Sequence, residues 1–143
     1  MLGSVDMIKG VKTIEIKKIP TEDKGNLQFF EGNRDIDFDI KRIYYISEVP
    51  KGVWRGGHAH KKLKQILFCP YGKVVVKVSD GDIEERISLC NPSMALVISE
   101  PLWRDIYWET ESSVLCVAAS DYYDEKDYIR DYNEFLNYIR KNK

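Results

Sequence analysis

Apolar and polar residues alternate along most of this chain in short runs, and the run Lys41–Ser47 shows the pattern most clearly. Successive side chains of a strand point to opposite faces, so Arg42, Tyr44 and Ile46 are predicted to share one face. Comparable runs occur at 11–19, 27–31, 74–79, 83–89, 94–99, 102–108 and 114–119. About eight or more short strands, spaced roughly ten residues apart, predict an all-β sandwich or barrel.

The period changes near residue 120, after which apolar side chains recur at helical spacing at positions 128, 132, 135, 136 and 139. Asp124 is the predicted N-cap, and acidic residues follow it where the helix dipole favours them. The pattern predicts an amphipathic C-terminal α-helix over about 124–141, after a β-barrel over about 11–120. Nothing in the sequence resembles a linker or a repeat, so residues 1–143 are predicted to form a single domain.

Composition and charge argue against several classes of protein. The 143 residues carry 22 Lys and Arg against 23 Asp and Glu, without the basic excess of a nucleic-acid binder. No apolar run approaches the ~20 residues of a membrane span, and the N-terminus lacks the apolar core of a signal peptide. Cys69, Cys90 and Cys116 are scattered, which is typical of free thiols in a reducing compartment. We therefore expect a cytoplasmic protein that binds neither nucleic acid nor membrane.

The only two histidines of the chain, His58 and His60, lie two residues apart. If their segment is a strand, both imidazoles point into one space. Imidazole has an unperturbed pKa near neutrality and can take and return a proton at physiological pH. Arg55 and the lysines after the pair add positive charge that suits a phosphate-bearing substrate. The pair is therefore a candidate for proton transfer, and the alternative is a basic, solvated strand end.

The segment around the two histidines resembles the first cupin motif, G-x5-H-x-H-x4-E-x6-G. Gly52, His58, His60 and Gly72 stand at the motif positions, and Gln65 replaces the glutamate. Cupins are jelly-roll barrels, also described as double-stranded β-helices, so the resemblance implies the fold that the strand pattern favours independently. In metal-binding cupins the glutamate and a later histidine complete the ligand set of a divalent ion.

A metal site is not expected here, because both of those additional ligands are missing. Gln65 offers a neutral amide in place of a carboxylate, and the stretch Met94–Trp108 carries Trp103 and Arg104 but no histidine. Protein sites for iron, manganese or zinc usually need three or more protein ligands. We therefore predict no metal and no cofactor, which leaves both histidines free for acid–base work.

Three longer stretches, IKRIYYI, RGGHAHKKLKQ and SDYYDEKDYIRDYNEFL, together resemble the dTDP-4-keto-6-deoxyglucose 3,4-ketoisomerases. The resemblance covers nearly the whole chain. It implies a metal-free jelly-roll enzyme that acts on a dTDP-linked keto-deoxysugar and works as a homodimer. The product is the 3-keto sugar from which an aminotransferase makes 3-amino-3,6-dideoxyhexoses.

Such an isomerisation moves a carbonyl from C4 to C3 and needs a base of near-neutral pKa, with donors for the developing oxyanion. His58 matches the family's catalytic histidine and is the candidate base. His60 is placed to donate to the intermediate oxygen or to orient His58. Tyr44 shares the inward face of its strand and is a candidate for binding the sugar oxygens or passing a proton. Arg42 and Arg55 suit the diphosphate, because a guanidinium grips phosphate oxygens bidentately.

Three further positions are candidates for substrate binding. Gln65 occupies the position of the motif glutamate and is expected to point into the barrel. Lys24, beside the Gly25 turn, and Arg104 lie where the ketoisomerases that give galacto and gluco products differ. Lys24 matches neither residue expected at its position, and its positive charge favours the galacto product.

Two features of the sequence favour self-association. The N-terminal strand is amphipathic, and Trp103, Tyr107 and Trp108 form an aromatic cluster in a short chain. A barrel with such an edge can share strands with a second copy, so a homodimer is expected. The alternative is that all three aromatic residues belong to the core.

Other functions fit parts of the same pattern. A dTDP-sugar 3,5-epimerase would incorporate solvent deuterium at C3 and C5 without moving the carbonyl, and a non-catalytic nucleotide-sugar-binding cupin would release its ligand unchanged. A metal-dependent cupin oxygenase is disfavoured by Gln65. At the level of single residues, the alternatives are a hydrogen-bonded interior position for His60 and surface ion pairs for Arg42 and Arg55.

Overall fold

The computed structural model describes residues 8–142, and most of that part is built from short strands. Residues 1–7, which begin the stretch without a signal-peptide core, lie outside the described part. The strands are β1 (Val11–Glu15), β2 (Lys17–Thr21), β3 (Gly25–Phe29), β4 (Arg42–Ile46), β5 (Trp54–His60), β6 (Gln65–Tyr71), β7 (Val74–Ser79), β8 (Glu84–Leu89), β9 (Met94–Ile98), β10 (Trp103–Trp108), β11 (Val114–Ala119) and β12 (Tyr128–Ile129). The α-helix α1 (Tyr132–Lys141) follows. Among the described residues no helix is long and apolar enough to cross a membrane.

Two five-stranded antiparallel sheets form the barrel. The first has the strand order β1-β9-β6-β11-β4, and the second has the order β12-β5-β10-β7-β8. Apolar side chains from both sheets pack into one shared core, as expected when two sheets lie face to face. The prediction of an all-β, cupin-type jelly roll with a C-terminal α-helix is confirmed.

Alternation along β10 shows how the sequence fills this interior. Arg104, Ile106 and Trp108 point inward and are buried, whereas the residues between them are half-buried on the outer side. Trp108 is fully buried, and its indole N–H donates to the carbonyl oxygen of Ser113 at 3.1 Å. The same inward row therefore supplies apolar bulk at one end of the strand and a guanidinium at the other.

The aromatic cluster on β10 is not an open surface. Trp108 belongs to the core, and the ring of Trp103 packs against Phe135 of α1 with centroids 5.8 Å apart. Tyr107 lies outside the barrel and contacts Trp54 at a centroid distance of 5.1 Å. All three aromatic side chains therefore pack against residues of their own chain. The predicted homodimer needs support from another face.

The C-terminal helix begins at Tyr132 and not near residue 124 as predicted. Asp131 is its N-cap, accepting a hydrogen bond from the Glu134 N–H at 3.1 Å. Asp124 caps a single 3-10 turn instead, and the chain then runs extended as β12, which pairs with β5. The helical spacing of Tyr128 is thus misleading, because pairing with a strand distant in sequence satisfies its backbone in an extended conformation.

Helix α1 supports β5 and β12 from outside the barrel. Phe135 is fully buried and packs with Ala59 of β5 and Ile129 of β12. Ala59 lies between the two histidines in sequence, so its side chain points away from theirs. Because α1 covers this outer side of β5, the strand is held with both histidine side chains pointing into the barrel.

Strands β2 and β3 form a separate two-stranded hairpin. The pattern predicted one strand over 11–19 ending at Pro20, but the run divides at the buried Ile16, and Pro20 lies inside β2. Proline is tolerated there because β2 pairs on one side only. Lys24 lies in the exposed turn of the hairpin, where its N–H donates to the Thr21 carbonyl oxygen at 3.0 Å.

Candidate active site

A β-bulge in β5 sets the direction of the two histidines. Arg104 of β10 pairs with His58, and Asp105 pairs with Gly56, so Gly57 is the extra residue. Gly56 and Gly57 have φ angles of +102° and +73°, and a Cβ on Gly56 would lie 3.0 Å from the Arg104 carbonyl oxygen. Only glycine combines this conformation with so close an approach. The bulge therefore explains why two glycines precede the histidine pair.

The two imidazoles share the inward face of β5. The rings of His58 and His60 meet edge to face with centroids 5.0 Å apart, and the ring of Tyr128 lies 4.4 Å from that of His60. His60 is 1% exposed, and its Nδ1 lies 3.0 Å from Oδ2 of Asp127. His60 is thus packed against two rings and also held by the Asp127 carboxylate.

Two adjoining cavities open beside the histidines. The barrel cavity, of about 320 Å³, is lined by Arg42, Tyr44, Ile46, Arg55, Gly56, His58, Gln65, Leu67, Arg104, Ile106, Tyr123, Tyr128 and Arg130. The mouth cavity, of about 470 Å³, is lined by Arg42, His60, Lys62, Leu63, Asp121, Tyr122, Tyr123, Asp124, Asp127 and Tyr128. Arg42, Tyr123 and Tyr128 line both, so His58 faces the inner space and His60 faces the outer space.

Gln65 is held in a chain of buried hydrogen bonds. Its amide oxygen accepts a short hydrogen bond from Nη1 of Arg104, and its amide nitrogen donates to the Tyr44 hydroxyl at 3.1 Å. The Leu102 carbonyl oxygen accepts from Nη2 and Nε of Arg104 at 3.1 and 3.3 Å. Both ends of the amide are engaged, which accounts for glutamine at the position of the cupin glutamate. Within residues 8–142, no three His, Cys, Asp or Glu side chains are grouped to hold a metal ion.

The guanidinium of Arg42 lies near two aromatic rings and has a buried N–H that no described residue accepts. Its guanidinium lies 5.4 Å from the Tyr44 ring and 5.7 Å from the Tyr123 ring. Its Nε is buried and meets no hydrogen-bond acceptor in the described part of the chain. A buried donor without a partner is costly, so a ligand oxygen at this position would be stabilised.

The structure brings together seven of the eight predicted site residues. The barrel cavity takes Arg42, Tyr44, Arg55, His58, Gln65 and Arg104, and the mouth cavity takes His60. Lys24 lines neither cavity, and it lies in the turn of the separate hairpin β2-β3.

Comparison with known proteins identifies the family. The family model described as FdtA: WxcM-like, C-terminal, matches residues 9–140. The chain belongs to this family. A related TDP-4-oxo-6-deoxy-alpha-D-glucose-3,4-oxoisomerase from Aneurinibacillus thermoaerophilus is 43% identical over 130 residues, covering 91% of this chain and 93% of its own.

Solved structures support the same relationship. The sugar 3,4-ketoisomerase QdtA from Thermoanaerobacterium thermosaccharolyticum, in complex with TDP, is 44% identical with a TM-score of 0.91, covering 95% of this chain and 98% of its own. A mutant of QdtA in complex with TDP-4-keto-6-deoxyglucose is 44% identical with a TM-score of 0.90, covering 94% and 97%. The resemblance to the 3,4-ketoisomerases is thereby confirmed.

Both imidazoles of this WxcM-like protein are neutral at neutral pH. Burial, and next the Arg104 charge, lower the pKa of His58 from 6.5 to about 4. The same two causes lower the pKa of His60 to about 2. Burial raises the pKa of Tyr44 above its usual 10.0, so its hydroxyl keeps its proton. At pH 7 the site therefore offers unprotonated imidazole nitrogens together with a phenolic O–H.

We expect Arg104→Met to raise the pKa of His58. After burial, the Arg104 charge is the largest cause that lowers this pKa, and its removal makes the imidazolium less unfavourable. In the unmodified protein His58 should stay neutral down to about pH 5, since its pKa is about 4. In the variant, protonation should begin about one pH unit or more higher. NMR titration of the imidazole ring protons measures this directly, because the chain has 2 histidines.

Arg86→Met is the matched control for this titration. Arg86 lies on the exposed outer side of β8, with its guanidinium 5.8 Å from the Trp54 ring, so it carries the same charge outside the barrel. An equal shift in both variants, or no shift in either, would show that the buried guanidinium does not set the pKa of His58.

The segment between β11 and α1 supplies site residues that the sequence did not reveal. Arg130 donates to the Glu125 carboxylate through Nε at 2.8 Å and Nη2 at 3.0 Å, and Tyr123 donates to it at 2.6 Å. These hydrogen bonds lower the pKa of Glu125 to about 2. The Arg130 guanidinium also lies 4.2 Å from the Tyr128 ring. The sequence does show a high density of tyrosine and ionisable residues in this segment, which could have indicated a site. Their helical spacing led instead to the prediction of a helix.

Proposed function

We propose that this protein is a sugar 3,4-ketoisomerase that converts dTDP-4-keto-6-deoxyglucose to a dTDP-3-keto-6-deoxyhexose without a metal or other cofactor. The observation that carries the proposal is the barrel cavity, in which the neutral imidazole of His58 and the protonated hydroxyl of Tyr44 face one space. The named relatives support the substrate class. The product would serve an aminotransferase that makes 3-amino-3,6-dideoxyhexoses.

The proposed reaction is an internal oxidation and reduction of the sugar. A base removes the proton on C3, which the C4 carbonyl acidifies, and the electron pair of that C–H bond forms the C3–C4 double bond of an enediolate. The proton of the C3 hydroxyl then passes to the C4 oxygen, carbon C4 receives a proton, and the C3 carbonyl forms as the C3–C4 double bond is consumed. Donors near the C4 oxygen are needed because negative charge develops there.

The residue roles in this proposal follow from position. His58 in the barrel cavity is the base for C3, and Tyr44 is the donor that protonates the sugar on the other side of the enediolate. His60, facing the mouth cavity, exchanges a proton with a sugar oxygen. Arg42 and Arg55 bind the diphosphate, since both line the barrel cavity and a guanidinium matches phosphate geometry.

Gln65 and Arg104 have a positioning role in the proposal, in addition to the substrate contact predicted for them. Both line the barrel cavity, but Arg104 donates to the amide oxygen of Gln65, and the amide nitrogen of Gln65 donates in turn to the Tyr44 hydroxyl. Through these bonds they orient the phenolic hydroxyl, and the Arg104 charge adds to burial in lowering the pKa of both imidazoles.

The test is incubation with dTDP-4-keto-6-deoxyglucose in deuterium oxide, with and without EDTA, followed by NMR. The expected result is a 3-keto sugar with deuterium at C4. The H4–H5 coupling of product formed in a parallel sample in ordinary water reports the C4 configuration, for which Lys24 favours galacto. A carbonyl that stays at C4 with deuterium at C3 and C5 would identify an epimerase. An unchanged sugar that still binds would identify a non-catalytic binding protein, and loss of turnover on chelation would reveal a metal requirement.

We also propose that the protein works as a homodimer through the outer side of β4. This strand lies at the edge of its sheet, and Ile43 and Tyr45 are each 70% exposed. Ile19 and Leu27 add exposed apolar surface on the hairpin. Exposed apolar side chains on an edge strand are normally covered by a partner. The predicted role of Lys24 further requires that the hairpin of one copy reach the cavities of another.

Ile43→Asp is expected to shift the dimer towards monomer at micromolar concentration, because it places a charge in the apolar interface. Light scattering measures the mass. Trp54→Glu is the control, since Trp54 is 44% exposed on the opposite sheet and lies 5.2 Å from the Lys77 ammonium. A monomeric unmodified protein would refute the dimer, and dissociation only in the control variant would place the interface elsewhere.

A cytoplasmic location is also part of the proposal. Cys69, Cys90 and Cys116 are free, and Cys69 is buried. Disulfides form mainly in oxidising compartments, so three unpaired thiols suit a reducing one.

A further inference from the structure

We propose that Asp127 is a positioning residue that fixes the tautomer of His60, so that Nε2 of this imidazole presents a lone pair to the bound sugar. The chemistry of the two histidines does not by itself require this, because a neutral imidazole can carry its proton on either nitrogen. The catalytic part of the proposal rests on the proposed ketoisomerase reaction, whereas the tautomer can be observed without turnover.

The carboxylate of Asp127 divides its two oxygens between two donors. Oδ2 lies 3.0 Å from Nδ1 of His60, and Oδ1 accepts the backbone N–H of Lys62 at 2.8 Å. The Asp127 carbonyl oxygen also accepts from the Lys61 N–H at 2.9 Å. An ionised carboxylate only accepts hydrogen bonds, so the proton between Asp127 and His60 belongs to Nδ1.

The backbone holds this arrangement in place. Asp127 directly precedes β12, whose Tyr128 pairs with His60 itself on β5. The side chain of Asp127 is 17% exposed and that of His60 is 1% exposed, so little water competes for the contact. Both ends of the hydrogen bond are thus tied to neighbouring strands of one sheet.

The other ring nitrogen of His60, Nε2, has no hydrogen-bond partner in the part of the chain that the structure describes. Nε2 is buried and meets no hydrogen-bond donor within residues 8–142. Buried polar atoms are nearly always paired, and an unpaired one is a place where a ligand group gains a hydrogen bond. Because Asp127 keeps the proton on Nδ1, Nε2 of the neutral ring is the acceptor. His60 lines the mouth cavity, which adjoins the barrel cavity that His58 lines.

This tautomer has a chemical consequence. A sugar hydroxyl can donate its proton to the Nε2 lone pair, which makes an imidazolium with both nitrogens protonated, and the same proton then passes to the neighbouring sugar oxygen. The Asp127 carboxylate stabilises the transient imidazolium, although Asp127 itself touches no reacting atom. The opposite tautomer would present an N–H to the hydroxyl and could not take its proton.

Asp127→Asn tests the proposal by reversing the tautomer. The backbone N–H of Lys62 needs an acceptor, so the amide oxygen of the asparagine takes the place of Oδ1, and the NH₂ group faces His60. Nδ1 must then accept, and the proton moves to Nε2. We expect kcat to fall by about 100-fold or more with little change in KM, because the fold and the substrate contacts remain.

Nitrogen-15 NMR of the imidazoles reads the tautomer independently of activity, and the chain has 2 histidines to assign. The expected result is a protonated Nδ1 in His60 of the unmodified protein and a protonated Nε2 in Asp127→Asn. A protonated Nε2 in the unmodified protein would overturn the proposal. A reversed tautomer with unchanged kcat would overturn its catalytic part.

Asp131→Asn is the matched control. Asp131 is exposed, caps α1 and loses the same charge on substitution, while asparagine is an equally good cap. It should leave the His60 tautomer and kcat unchanged. If Asp127→Asn does not fold, Asp127→Ala replaces it, and near-normal kcat in that variant would defeat the proposal. An unmodified protein that has the expected tautomer but does not isomerise the sugar would defeat the proposed function alone.

Discussion

His58→Asn is expected to lower kcat for the 3,4-ketoisomerase reaction by about 100- to 10,000-fold. Asparagine is close to histidine in size and polarity, but its amide has no nitrogen that can take a proton at neutral pH. The imidazole that it replaces is neutral at pH 7, since burial lowers its pKa to about 4, and it faces the barrel cavity. Removing it therefore removes the base for the C3 proton and leaves the rest of the cavity in place.

The measurement is kcat by NMR, with the loss of the C3 proton to solvent deuterium followed in the same samples. Binding of dTDP should stay near its normal value, because Arg42 and Arg55 carry the proposed phosphate contacts. Exchange at C3 at the normal rate in the variant would show that another group removes this proton.

Tyr44→Phe is expected to lower kcat by about 100-fold, the second largest effect. Burial raises the pKa of the Tyr44 hydroxyl, so it remains a donor at neutral pH, and the amide nitrogen of Gln65 fixes its orientation at 3.1 Å. Phenylalanine keeps the ring and removes only the oxygen. The reprotonation step then loses its donor, and the buried amide of Gln65 loses an acceptor.

Tyr45→Phe is the control for that variant. Tyr45 is the next residue of β4 and points to the opposite face, where it is 70% exposed. The same oxygen is thus deleted on the same strand, once inside the barrel and once outside. Comparable kcat in the two variants would mean that the Tyr44 hydroxyl takes no part in the reaction.

Much of the fold was predictable because period-two alternation reflects burial directly. The row Arg42, Tyr44 and Ile46 on β4 is half-buried while Ile43 and Tyr45 are exposed, as the pattern of Lys41–Ser47 predicted. The start of α1 was not predictable in the same way. Helical spacing over 124–131 competes with pairing to β5, and a pattern within one segment carries no information about a distant strand.

The candidate site was likewise predictable where it depends on local spacing and not where it depends on distant contacts. Parity places His58 and His60 on one side of β5 and Tyr44 and Arg42 on one side of β4, so their meeting inside a barrel follows from the strands. The hydrogen bond of Arg104 to Gln65 joins residues 39 apart, and that of His60 to Asp127 joins residues 67 apart. Separations this long follow no local periodicity, so neither contact could be predicted from the sequence pattern.

The sequence alone therefore determined an all-β sandwich or barrel, the paired imidazoles and the missing cupin ligands, because these depend on residue type and on short-range spacing. The resemblance to cupins narrowed the fold to a jelly roll. The tertiary structure decided which partner each polar group meets. It joined Gln65 to Arg104, set Asp127 against His60 and left Lys24 on a separate hairpin. Those contacts depend on strand order and register, which long-range burial selects and no short stretch of sequence encodes.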